Sequence, residues 1–149
     1  MTFNYHKQET NYTCGSAAMR MVLEYFGIKK SEKQVVKLLE TNKVRGTWIK
    51  NFPALAERLR LNYVIKRNSK IGDLKEYQRK GYQIIICYLI LKEKVDHYSV
   101  LKKIDSKNIY FFDPWYGAEH KLPLNYFKKI WYSDKKYEKE KAWFIAIKK

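Results

Sequence analysis

Cysteine occurs only twice in the 149 residues, as Cys14 and Cys87 in unrelated surroundings, which excludes a disulfide framework and a Cys/His metal cluster. There are three histidines, three prolines and six glycines, and no low-complexity linker or internal repeat divides the chain. The longest apolar run, IIICYLIL at 84 to 91, falls far short of the roughly 20 residues that a membrane-spanning helix needs. The start, MTFNYHKQ, has no apolar signal core. Together these shortages read as one cytoplasmic domain, residues 1–149, in a reducing compartment and with no metal or other cofactor. Acidic residues are scarce too, 15 against 31 Lys and Arg, for a net charge of +16.

That charge ordinarily points to nucleic acid or an acidic membrane surface. The lysines, however, are spread along the whole chain and no nucleic-acid motif accompanies them, which reads as a solvated surface able to steer an acidic substrate or partner. What is abundant is apolar and aromatic: 46% hydrophobic residues, with 16% of the chain Phe, Trp or Tyr, enough for a packed core without staples.

Helices come first. From Cys14, the residues Ala17, Ala18, Met21, Val22 and Tyr25 recur at helical spacing, and Gly27 reads as the stop. SEKQVVKLLE opens with the capping-box pair Ser31 and Gln34. GTWIKNFPALAERLRL predicts a third helix with Asn51 as cap and Pro53 in the first turn. Strands follow near 63–66, 82–91, VDHYSVLKKI, NIYFF and AWFIAI, with a helical turn over 71–80. The pattern predicts an α+β fold in which an N-terminal helical half packs on an antiparallel sheet.

In that setting the stretch QETNYTCG acquires a chemical meaning. A thiol at a helix N-terminus sits beside unsatisfied N–H groups and a partial positive charge that favour the thiolate, so Cys14 is placed as a nucleophile. Thr13 can cap the helix, and Gly15 can let a substrate backbone approach the sulfur. Of the histidines, His97 lies within a strand among apolar neighbours, whereas His6 and His120 read as surface or rim residues. If residues 105–107 form a three-residue loop, Asp113 pairs opposite Ser99, and His97 and Asp113 become diagonal neighbours about 7 to 8 Å apart at the backbone. A four-residue loop would put them on opposite faces. Cys14, His97 and Asp113 then match nucleophile, proton carrier and orienting carboxylate. The Cys14 N–H and the side chain of Gln8 are candidate oxyanion donors. Trp115 and Tyr116 are candidate walls of a substrate cleft.

Gln8 with Cys14-Gly15 at a spacing of six, the helix SAAMRMVLEYFG, the segment GTWIKNFPALAERLRL, and then DHYSVL and FDPWYG resemble, in the same order, the papain-like cysteine peptidases that cleave double-glycine leader peptides. The resemblance implies a papain-like fold, a Cys14–His97–Asp113 triad, Gln8 completing the oxyanion hole, and a peptide or protein substrate cut after Gly-Gly. The residue before the cysteine is commonly aspartate in that family and is Thr13 here. Many members are the N-terminal part of a membrane exporter; this chain reads as a stand-alone domain whose partner would be a separate transporter or an acidic protein.

Other readings compete with this one. Cys14 alone could be a small buried hydrophobe, as Cys87 is read to be. His97 could be a hydrogen-bonded strand residue, and Asp113 before Pro114 a turn former. At the level of function the alternatives are a catalytically silent peptide-binding module of the same fold and a basic nucleic-acid-binding protein whose aromatics stack on bases. The last leaves the placement of Cys14 unexplained.

Overall fold

The computed structural model describes residues 2–149. Helix α1 (Cys14–Tyr25) buries Gly15 to Met19 and Met21 to Leu23. It ends as expected: Gly27 takes φ +88 and the Ile28 N–H donates back to the Leu23 carbonyl at 2.9 Å. Thr13 corrects the expected cap. It holds the cap position, but its side chain makes no capping bond and pairs instead with the Thr10 hydroxyl at 2.8 Å. In α2 (Glu32–Leu39) the Ser31/Gln34 capping box is present in both directions. Helix α3 (Asn51–Arg58) has Pro53 in its first turn, but Lys50 rather than Asn51 is the cap. Asn51 donates from Nδ2 to the Leu39 carbonyl at 3.0 Å, joining the start of α3 to the end of α2.

The remaining elements are β1 (Asn62–Lys66), α4 (Ile71–Arg79), β2 (Gln83–Ile90), β3 (Val95–Ile104), β4 (Asn108–Asp113), β5 (Gly117–Pro123), α5 (Leu124–Ile130) and β6 (Phe144–Lys148). The six strands form one sheet in the order β1-β6-β2-β3-β4-β5, every neighbouring pair antiparallel. The α+β expectation holds, with one addition. Helices α1 to α3 cover one face of the sheet, over Ile85, Cys87, Tyr98, Val100, Ile145 and Ile147. Helices α4 and α5 cover the other, over Ile84, Ile86, Tyr88, Phe111, Phe144 and Ala146. A strand buried on both faces has no polar side, which is why β2 reads as an unbroken apolar run.

The β3–β4 hairpin departs from the expected geometry and still reaches the expected result. Ile104 pairs with Ile109, so four residues separate the paired positions rather than three. Alone, that register would turn Asp113 away from His97. An irregularity at Lys102 shifts the ladder by one, so that Leu101 pairs with Phe111 and Val100 with Phe112. Continued one step, the shifted register brings Asp113 beside Ser99, whose Oγ donates to Asp113 Oδ2 at 2.7 Å.

At Gly15, α1 packs tightly against Thr47 of the loop before α3 and Tyr98 of β3. A Cβ built there would lie 2.6 Å from Thr47 Oγ1, 2.9 Å from Thr47 Cβ and 3.1 Å from Tyr98 Cδ2. The space beside its Cα is thus filled by protein, which corrects the expectation that Gly15 admits substrate. Gly15→Ala is expected to lower the unfolding free energy by about 1–3 kcal/mol through overpacking. Gly72→Ala, on α4 with nothing within 4 Å of the new methyl, should instead raise it by about 0.4–1 kcal/mol. Urea midpoints of the two variants measure the contrast.

Candidate active site

Cys14 is the first residue of α1, where the backbone N–H groups have no intrahelical acceptor and no capping side chain covers them. It is half-buried and lines a cleft of about 720 Å³ together with Gln8, His97, Trp115 and Tyr116. Gly15 is not part of that lining. The expected thiol, imidazole and amide therefore share one cleft, although they come from a helix start, a strand start and the segment before α1, and the carboxylate at the end of β4 stands behind the imidazole.

His97 is only 7% exposed, and its Nε2 lies 2.8 Å from Asp113 Oδ1. The ring shares the cleft lining with the Cys14 side chain and feels its charge; with Nε2 engaged by the carboxylate, Nδ1 is the nitrogen left for the sulfur. Burial favours the neutral ring. Negative charge on the Cys14 sulfur, the bond to Asp113 and the Asp113 charge oppose it, and together they raise the His97 pKa to about 10.

Asp113 is completely buried. Its Oδ1 accepts from His97 and from the backbone N–H groups of Trp115 and Tyr116, each at 2.8 Å. Its Oδ2 accepts from the Tyr88 hydroxyl at 2.5 Å and from Ser99. Burial pushes the carboxyl up, but the bonds and the His97 charge outweigh it and hold the group well below the usual carboxylate range. Asp113 is therefore more than a turn former.

Tyr88 and Ser99 were not singled out from the sequence. The signal was available in Ser99, two residues beyond His97 on the same face of β3, and in Tyr88, which the β2–β3 register sets directly opposite His97. Gln8 is buried, and its Nε2 donates to the Thr10 carbonyl at 2.6 Å, leaving the second amide hydrogen free. Its backbone N–H donates to the Pro114 carbonyl at 2.9 Å, which ties this segment to the end of β4. Trp115 and Tyr116 are each 46% exposed and wall the cleft, with Tyr116 edge-on to His97 at 6.0 Å.

In the same lining, the buried Arg45 guanidinium forks onto Asp96 at 3.0 and 3.1 Å and reaches Glu138 at 2.5 Å. Burial works against its charge, but Tyr98 and those carboxylates outweigh burial and push its pKa further up. Because Asp96 precedes His97, this cluster joins the 42–47 turn and the segment around Glu138 to the start of β3. Cys87 lies 3.7 Å from Asp96 Oδ2, and burial raises its pKa, so it stays a neutral core thiol as anticipated. His6 pairs with Glu24 at 3.0 Å, while His120 stacks on Tyr116 at 4.9 Å. Among the described residues no group of three or more His, Cys, Asp and Glu is placed to hold a metal ion, and no helix is long and apolar enough to cross a membrane.

A model of the peptidase C39 family matches residues 2–134. The lactococcin-A transport/processing ATP-binding protein LcnC of Lactococcus lactis subsp. lactis is 28% identical over 111 residues, or 74% of this chain. An LcnC-like lactococcin transport/processing protein of strain IL1403 is 27% identical over the same length. The chain spans 15% of the length of these curated relatives. Among solved structures, the peptidase domain of Streptococcus ComA superimposes with a TM-score of 0.75 at 18% identity, over 99% of this chain and 98% of that one. A double glycine motif protease from an AMS/PCAT transporter, crystallised with a leader peptide, gives 0.73 at 20%, over 99% and 91%. A putative C39-like peptidase from Bacillus anthracis gives 0.75 at 14%, over 99% and 95%. These structures share the fold.

The His97 pKa provides a direct check of the constellation. Asp113 favours the imidazolium, so Asp113→Asn is expected to lower that pKa from about 10, read by NMR titration of the ring. Being raised from 6.5, it adds stability that is fully present below that pH and lost as pH rises through about 10. The decline in urea stability over that alkaline range should accordingly be shallower in Asp113→Asn.

Proposed function

The chain belongs to the peptidase C39 family of cysteine peptidases, and on that premise we propose that Cys14, His97 and Asp113 are its triad and that it cuts leader peptides after Gly-Gly. The observation that carries the reading is His97, bonded through Nε2 to the buried Asp113 carboxylate, lining one cleft with the Cys14 thiol at a helix start. The double-glycine specificity is supported by the family and by the leader-peptide protease with the same fold. The relatives that process and transport lactococcin support an ATP-driven exporter as partner.

In this mechanism the Cys14 thiolate attacks the carbonyl carbon of the scissile bond while His97 carries the proton. Negative charge moves to the carbonyl oxygen, where the Cys14 N–H and the free Gln8 amide hydrogen would receive it. The C–N bond then breaks, His97 delivers its proton to the leaving amine, and the acyl group remains on sulfur as a thioester. Water attacks the thioester, His97 takes up a proton, and the C–S bond breaks to release the acid and restore the thiolate–imidazolium pair. Asp113 remains ionised throughout, fixing the ring with Nδ1 toward sulfur.

The test is cleavage of a peptide containing Gly-Gly, followed by mass spectrometry, together with kcat on a Gly-Gly peptidyl aminocoumarin amide. Cys14→Ala is expected to abolish cleavage at that bond. Gln8→Ala should lower kcat by about 10²–10³, the usual cost of one oxyanion donor. Alkylation of Cys14 by iodoacetamide, which forms no oxyanion, should remain at the wild-type rate in Gln8→Ala. Cleavage that persists in Cys14→Ala would overturn the assignment.

A further inference from the structure

Glu32, the first residue of α2, is 2% exposed and takes no part in the chemistry described above. A buried carboxylate is costly unless donors face it, so its partners reveal what it holds. Both oxygens lie 3.1 Å from the backbone N of Glu9, the residue after Gln8. Burial raises its pKa, while the bond from the Glu9 N–H favours the ionised form; of the charges that face it, the Glu9 side chain opposes ionisation and Arg20 favours it. Gln8 is thus restrained on both sides. Its own N–H is fixed to Pro114 on the β4 side, and the next N–H is fixed to α2. The side-chain bond to Thr10 then sets the direction of the amide.

We propose that Glu32 is a positioning residue that fixes the Gln8 amide for the developing oxyanion by clamping the Glu9 backbone onto the start of α2. The proposal rests on Gln8 acting as the oxyanion donor. A donor displaced by a fraction of an ångström still permits sulfur chemistry but loses much of its hold on the tetrahedral intermediate. The clamp therefore governs a kcat for acyl transfer and leaves the intrinsic reactivity of the thiol alone. A residue that merely supports the fold would affect both.

The experiment compares wild type, Glu32→Ala, Gln8→Ala and the double variant, measuring kcat and KM on the Gly-Gly peptidyl aminocoumarin amide and the iodoacetamide alkylation rate of Cys14. Glu32→Ala is expected to lower kcat about tenfold, with KM and the alkylation rate changing by less than about twofold. In the Gln8→Ala background the same change should cost nothing further, because there is no amide left to place. Glu32→Gln, which keeps an acceptor for the Glu9 N–H, should recover most of the lost rate. If Glu32→Ala does not fold, Glu32→Asp carries the test, since it withdraws the carboxylate by one methylene while keeping charge at the helix start. An equal loss in both backgrounds, or alkylation falling in step with kcat, overturns the proposal. A wild-type kcat in Gln8→Ala sinks the oxyanion assignment itself, whereas a slow Gln8→Ala beside an unimpaired Glu32→Ala sinks only the clamp.

Discussion

A carboxylate buried without exposure must find donors or lose its charge, and Asp113 finds five: His97, Tyr88, Ser99 and two backbone N–H groups of its own turn. Those donors bring together the end of β4, the start of β3, the facing residue of β2 and the turn into β5. The backbone on either side continues the set, since Tyr5 Oη donates to the Asp113 carbonyl and the Gln8 N–H to that of Pro114. Satisfying one buried charge thereby strings the N-terminal segment, with Gln8 on it, across the strand end that carries the orienting group. His97 and Asp113 also hold each other's charged forms, which water would do poorly at this depth.

The cleft has a second, ionic anchor. Arg45, Asp96 and Glu138 meet from three distant stretches of chain, and Glu138 also accepts the Ile49 N–H. Between the two anchors stands His97, adjacent in sequence to one and bonded to the other. The cleft is thus framed by buried polar contacts, while the apolar clusters on the two sheet faces supply the adhesion of the fold.

Much of this was legible in the residues because local and global signals agree. The small and apolar stripe of α1, its glycine stop, the Ser31/Gln34 box and the apolar run of β2 each name their element. Strand β5 and helix α5 were not legible. GAEHKLP presents only a half-buried edge with no strong β-formers, and LNYFKKI is a short helix that announces itself only through the buried Phe127 and Ile130. At the candidate site, residue type alone points to Cys14, His97, Asp113 and Gln8. Tyr88 and Ser99 emerge only once the strand registers are known, and Glu32 and Arg45 owe their significance to contacts between loops and helices that one-dimensional spacing does not contain. Gly15, expected to admit substrate, is used in close packing, and Thr13, expected to cap α1, in a loop hydrogen bond.

The irregularity at Lys102 gives the hairpin a property best described as parity. Side chains alternate faces, so the meeting of His97 and Asp113 depends on whether the residues between them count as odd or even, and the turn and the bulge each contribute one step. An unbulged hairpin with one residue fewer in its turn would bring the same pair together. Chains of this architecture can therefore exchange turn length for bulge while keeping the pair intact, and a length difference in this hairpin becomes informative only when the two are counted together.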